Sequence, residues 1–311
     1  TAVMMASRYS NTDSTKGTVK MLLEHPKIDV NLQDKEGFTA LMMASRYSNT
    51  DSTEETVKML LEHPNIDVNL QDKKGWTALM LASRYSNTDS TELTVKMLLE
   101  HPNIDVNLQN VDGMTALMMA SRYSNKDSTE GTVKMLLKHP KIDVNLQDSE
   151  GWTALMLASR YSNTVSTEGT VKMLLEHPKI NVNIQNKEDF YYLNPRKMIQ
   201  VYNNPYPTNN HRSTALIISC RYSNTDSTEG TVKMLLEYPK IDVNLRDGFG
   251  STPLITACKY SKNDSKENII KMLLKHPDIN ANLRNKRSDS ALSIASNINN
   301  QNKEIKKMLS K

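Results

Sequence analysis

Only two cysteines, Cys220 and Cys258, occur along the chain, which rules out a disulfide scaffold and favours a reducing compartment. Aromatic residues are also sparse, at 5% of 311 residues, so the core must be built from leucine and the 18 methionines. No apolar run approaches the roughly 18 residues that a membrane span requires; runs such as Ala40–Ala44 are typical. No basic n-region followed by an apolar h-region opens the chain, so no signal peptide is visible. Charge of one sign is missing too. The 39 Lys and Arg against 35 Asp and Glu leave +4, too little for the basic stripe of a nucleic-acid protein. These absences make the cytoplasm the expected location and exclude a membrane partner.

What the chain does have is repetition. Thr1, Thr39, Thr77, Thr115 and Thr153 stand 38 residues apart, and Thr214, Thr252 and Ser290 resume the same spacing after one step of 61. This makes eight units with 23 extra residues between the fifth and sixth, and it replaces the two globular domains that length alone would suggest. Within a unit, Thr77 is a suitable N-cap for a first helix over about 77–85, where Leu79, Ala82 and Ser83 form the buried stripe. A polar turn follows. The second helix is expected to open at Asp89 with Glu92 as its capping-box partner, to bury Val95, Leu98 and Leu99, and to stop at His101 before Pro102. Ile104, Val106 and Leu108 then alternate with polar residues as an extended finger, closed by a turn at Gly113. One helix pair of this size cannot bury its own stripe, so such units must stack.

The segments "GWTALMLAS" and "TVKMLLEHPNIDVNLQD" resemble the ankyrin repeat, whose unit is about 33 residues with T-P-L-H-x-A in its first helix. The resemblance covers the chain except residues 189–213. Here the unit is 38 long, with about four extra residues in the inter-helix turn, and Pro-Leu-His is replaced by Ala-Leu-Met, Pro253 being the only proline retained. The asparagine-rich style is similar to ankyrin proteins of giant DNA viruses of the mimivirus type. The resemblance implies an all-α solenoid: units one to five over 1–188, an insertion at 189–213, and units six to eight with a C-terminal cap over 214–311, forming one continuous stack. The chain starts directly on a first helix, so Val3, Met4 and Val19 are expected to be partly wet and the start to be a truncation of a longer product. The charged helix around Lys303, Glu304, Lys306 and Lys307 reads as a polar end cap.

Repetition also weighs the candidate chemistry. His25, His63, His101, His139, His177 and His276 recur before proline, but stacked units hold equivalent side chains roughly 8–10 Å apart, too far to converge on one zinc. They are expected to interact with the dipole at a helix C-terminus. Cys220 and Cys258 share one stacked position and read as small core residues. Asp29, Asn31 and Asp34 lack the glycine and glutamate of a calcium loop. Catalysis needs a unique constellation, whereas nearly every polar group here recurs in parallel, so no catalytic residue, cofactor or metal is assigned.

In the ankyrin family, the residue before the first-helix threonine, the finger-turn pair and the residues after "AS" face a protein-binding groove. Carried over, Phe38, Trp76, Met114 and Trp152 line it, beside the variable turn pair Lys73–Lys74. The recurring Arg84–Tyr85, Arg122–Tyr123 and Arg160–Tyr161 form a ladder that either binds a partner or pairs with turn aspartates such as Asp89 and Asp127. Tyr191, Tyr192, Tyr202 and Tyr206 of the insertion are further candidate contacts, with a linker as the alternative. The expected function is a non-enzymatic, monomeric scaffold for an unknown protein, a host protein if the chain is viral. A nucleic-acid array on the Arg–Tyr ladder and a purely structural spacer are the alternatives.

Overall fold

The computed structural model describes residues 1–12, 15–187, 212–223, 225–261, 267–297 and 303–310. Among these, sixteen helices form and no strand. They fall into eight pairs: α1 (Ala2–Arg8) with α2 (Lys16–Leu23), α3 (Ala40–Arg46) with α4 (Glu54–Leu61), α5 (Ala78–Tyr85) with α6 (Glu92–Glu100), and α7 (Ala116–Tyr123) with α8 (Glu130–Lys138). Then follow α9 (Ala154–Tyr161) with α10 (Glu168–Leu175), α11 (Ala215–Tyr222) with α12 (Glu229–Leu236), α13 (Pro253–Lys259) with α14 (Glu267–Lys275), and α15 (Ala291–Asn297) with α16 (Lys303–Leu309). First helices pack on first helices and second on second, from α1 against α3 through to α13 against α15.

Each first helix begins where expected. The Thr77 hydroxyl accepts the Met80 N–H at 3.2 Å, satisfying one of the donors a helix start leaves over. The second helix begins two residues later than the capping-box reading placed it. Its N-cap is Thr91, which accepts the Thr94 N–H at 3.1 Å. Glu92 reaches away from its own cap and its carboxylate accepts the hydroxyl of Thr129 in the next unit. Asp89 is thereby free for another partner. His101 ends the helix as expected, donating its N–H to Leu98 O at 3.3 Å.

The core is a continuous aliphatic seam. Leu79, Met80, Val95 and Leu98 are fully buried, as are their equivalents in the units on either side. Truncating one such leucine costs about 2–5 kcal/mol in well-packed cores. Val3 and Met4 belong to this seam and, like Val19, are buried, against expectation; the exposed large apolar side chains of the first unit are Met5, Met21 and Leu32. Helix pairing within the unit and contact with α3 cover the former.

Polar bonds lock the register. The Asn69 amide donates to Asn103 O at 2.7 Å and accepts the Asp105 N–H at 2.8 Å, so one side chain ties two fingers together. Gln71 Nε2 donates to Gly75 O in its own finger and to Gln109 O in the next, at 2.7 and 2.9 Å. Deeper, the Ser90 hydroxyl donates to Ser45 O and that of Thr94 to Ser48 Oγ, both at 2.7 Å. The fingers are therefore held by side-chain amides rather than by a strand ladder.

The joint between units five and six carries the same bonds. Asn183 Nδ2 donates to Lys240 O at 2.8 Å, Gln185 Nε2 to Arg246 O at 2.7 Å, and Thr231 Oγ1 to Ser162 Oγ at 2.7 Å. The fifth finger turn also closes: the Asn186 N–H donates to Ser213 O at 3.1 Å, matching Asp148 to Trp152 one unit earlier. Arg212, at φ +55°, takes the left-handed position held by Gly151 at +81° in that unit. The expected replacement of the turn centres on Asp189, which lies outside the described residues. Deleting residues 189–211 and changing Arg212→Gly leaves an ordinary five-residue turn. One cooperative thermal transition, within a few degrees of the parent, is the expected result. Two separate transitions in the intact protein would show that the array is two blocks.

Candidate functional site

Finger turns and first helices of neighbouring units share one face of the molecule. Every turn on that face is built alike. Asp72 Oδ1 accepts the N–H groups of Lys74 and Trp76, both at 2.8 Å, and Gly75 turns the chain at φ +76°. A Cβ at Gly75 would lie 2.7 Å from the Asn110 Cα of the next finger, so glycine is needed both for its φ and for this approach. The residue after the glycine is consequently held at the lip by a rigid turn.

The four lip residues do not behave alike. Phe38, Trp76 and Trp152 are half-buried, one part of each ring against the core and the rest open. Met114, expected to line the groove, is 6% exposed and belongs to the core. An unbranched thioether can fold inward where a flat ring cannot. Lys73 and Lys74 are exposed, and Lys73 Nζ stands 3.9 Å from Glu36 Oε1 of the preceding turn. A pair so open to water contributes at most about 1 kcal/mol. Phe38 also borders a cavity of about 340 Å³ between the first two units, lined by Arg8, Asp34, Glu36, Met43, Arg46 and Tyr47 as well.

The arginine–tyrosine ladder is consumed inside the stack. Arg84 lies 3.3 Å from the ring centroid of Tyr123 in the next unit, and Arg122 stands 5.1 Å from the same ring. Tyr85 lies likewise between Arg46 at 3.8 Å and Arg84 at 5.0 Å, and Tyr161 between Arg122 and Arg160. Arg84 also pairs with Asp127, Arg46 with Asp89 at 3.5 Å, and Arg160 with Asp226. Each aspartate comes from the following unit, which explains why Asp89 is not a helix cap. Arg122 and Arg160 are buried, contrary to the groove contacts expected of them, and the rings of Tyr85, Tyr123 and Tyr161 are half-buried between cations. Tyr85, Tyr123 and Tyr161 each meet two guanidinium groups of the stack itself.

The remaining candidates are structural. In every unit that carries it, the histidine accepts the N–H two residues ahead on Nδ1, as Asn103 donates to His101 at 3.3 Å. That bond requires a neutral imidazole, and burial together with Lys141 and Lys179 holds His139 and His177 below the usual histidine range. The helix-dipole role assigned to these histidines is thus replaced by an acceptor role. Both cysteines are buried free thiols, and burial pushes Cys258 up to about 12. Tyr191, Tyr192, Tyr202 and Tyr206 lie outside the described residues.

Sequence reasoning missed the far end of this face. Phe249 is 46% exposed there, and a cavity of about 250 Å³ opens beside it, lined by Ser251, Lys259, Lys286, Arg287 and Ile294 together with Asn285 and Asp289. The signal lay in the lip position, which changes from a large side chain to Ser251.

A family model described as ankyrin repeats, in three copies, matches residues 3–110, 51–147, 88–186, 194–285 and 227–311. Among curated proteins none matches the chain. No helix among the described residues is long and apolar enough to cross a membrane.

Two variants test this electrostatic reading. Arg84 and Asp127 are 15% and 20% exposed, so Asp127→Ala should lower unfolding free energy by about 1–3 kcal/mol in urea titrations. Glu100→Ala, which removes only the exposed Lys96–Glu100 pair, should cost less than about 0.5 kcal/mol. Burial also raises Asp148 from 3.8 to about 6 against the two turn N–H groups that oppose the shift. A carboxyl raised by folding adds stability below pH 3.8 and loses it as pH climbs through about 6. Asp148→Asn copies Asn110 and Asn186 at the equivalent turns. It should melt higher than the parent at pH 7.5, and the gap should close by pH 4. The histidines are common to both proteins and cancel in the difference.

Proposed function

The chain belongs to the ankyrin-repeat family, and on that premise we propose that it is a non-enzymatic scaffold that binds a partner protein along the face of finger turns and first helices. Ankyrin repeats are generally protein–protein interaction modules. The observation that carries the proposal is the set of half-buried rings, Phe38, Trp76 and Trp152, held on rigid turns that keep one architecture while their exposed neighbours vary. Interfaces draw their energy from such anchored aromatic side chains at the centre of a polar rim. The nucleic-acid alternative loses support, because the arginine and tyrosine planes it needs are stacked on each other. A pure spacer would have no use for open rings at the lip.

In this reading units one to five, over 1–188, and six to eight, over 214–311, act as one continuous monomeric solenoid, with 189–213 as an excursion. Its fuller form is a giant-virus adaptor that holds a host protein in the cytoplasm; the asparagine-rich style of the repeats is what supports that extension.

Replacing both Trp76 and Trp152 with Ala should leave helical circular dichroism unchanged and weaken partner binding by about 2 kcal/mol or more. Charge reversal of Lys58 and Lys96 on the second helices should have little effect. If the reversals weaken binding as much as the double tryptophan variant, the partner sits elsewhere.

A further inference from the structure

The last two units differ from the others in both charge and shape. From Thr252 to Lys311 there are 12 Lys and Arg against 5 Asp and Glu, a net of +7, while the preceding 251 residues hold 27 against 30, a net of −3. The lip residue shrinks just before this stretch, first to Ser213 and then to Ser251. Units two to five place Phe38, Trp76, Met114 and Trp152 there, and unit seven places Ser251. Where a ring would stand, the cavity of about 250 Å³ opens, with Phe249 on one wall and half-buried Ile294 on another. Lys259, Lys286 and Arg287 are exposed around its rim.

This geometry is fixed rather than adaptable. The Lys286 N–H donates to Phe249 O at 2.9 Å, tying the two finger tips together, and Lys259 Nζ lies 5.9 Å from the Phe249 ring centroid. One acid, Asp289, lines the cavity, and its carboxylate accepts Asn285 Nδ2 at 3.3 Å. The volume falls below the roughly 300–1,000 Å³ of small-ligand sites, and suits a single large side chain with its backbone running past the mouth.

We propose that this end of the groove binds an acidic peptide segment of the partner. One apolar side chain enters between Phe249 and Ile294, and flanking carboxylates meet Lys259, Lys286 and Arg287. The proposal rests on the groove reading above and adds to it the chemistry of the partner. A nucleic acid is disfavoured because its phosphates need a basic stripe many contacts long. Lys73 and Lys74 make one other cationic tip, with Lys73 beside Glu36, while the turns at Glu36, Asp112 and Glu150 each carry an acid, so the net positive charge is concentrated at this end.

Fluorescence anisotropy on the whole protein tests this with a labelled octapeptide of aspartate and glutamate around one central leucine, at 0.15 M salt. It should bind at least tenfold more tightly than the same peptide with glycine for leucine, and than an oligothymidylate of equal charge. Lys286→Glu combined with Arg287→Glu should weaken binding tenfold or more, and Ser251→Trp, which restores the ring, should do the same by closing the cavity. Should Ser251→Trp fail to fold, Phe249→Ala at an exposed position takes its place. Absence of saturable binding, equal binding of the glycine peptide, equal or tighter binding of the oligothymidylate, or indifference to the cavity variant overturns the proposal. Partner binding that still depends on Trp76 and Trp152 would then leave the groove reading standing, whereas loss of that dependence overturns the groove reading itself.

Discussion

Each unit holds polar side chains whose partners lie in the units on either side, and the rest of the structure follows from that dependence. Asn69 satisfies the backbone of the following finger, Thr94 bonds back to Ser48, and Arg84 finds both a carboxylate and an aromatic face one unit ahead. A buried donor or acceptor left without such a partner costs about 1–3 kcal/mol, so sliding one unit against its neighbour would forfeit several bonds together. Apolar burial drives the stacking, but it is indifferent to small shifts; the side-chain bonds set the register.

The same dependence explains how the array tolerates an insertion. The bonds that define a joint come from the helices, the base of the finger and its closing residue, none of which is interrupted. Asn186 still closes on Ser213, and Arg212 adopts the left-handed conformation that glycine supplies elsewhere. Residues 187 and 212 flank the extra chain, and the Lys187 N–H still donates to Glu150 O of the preceding tip at 3.0 Å. Sequence variety collects at the lip and the turn pair, where Phe38, Trp76 and Trp152 are only half-buried and Lys73 and Lys74 are exposed.

The repeat made most of the fold legible. A 38-residue period, threonine N-caps, helix stops at proline and the aliphatic stripes are local signals, and each marks what the chain does within one unit. Where a side chain took a partner other than its own helix end, the local signature pointed elsewhere. Asp89 carries the signature of a cap, yet it serves Arg46 from the neighbouring unit while Thr91 does the capping. The histidines carry the signature of a charge at a helix end, yet each accepts a nearby N–H on Nδ1, as His101 does from Asn103. Met114 shares the lip with two tryptophans and a phenylalanine, yet only it is flexible enough to turn inward.

Sequence alone therefore determined the unit: its helices, its caps, the number of copies and the place where extra chain is admitted. These depend on residues within about one turn or one helix of each other, so they can be read along the chain. Tertiary structure decided which repeated groups remain available. The arginines and tyrosines that look like a binding ladder face one another across the joints of the first seven units. The cavity beside Phe249 exists because Ser251 leaves unfilled a space bounded by two different fingers. Availability depends on what the neighbouring unit covers, and that neighbour is 38 residues away in sequence but in direct contact in space.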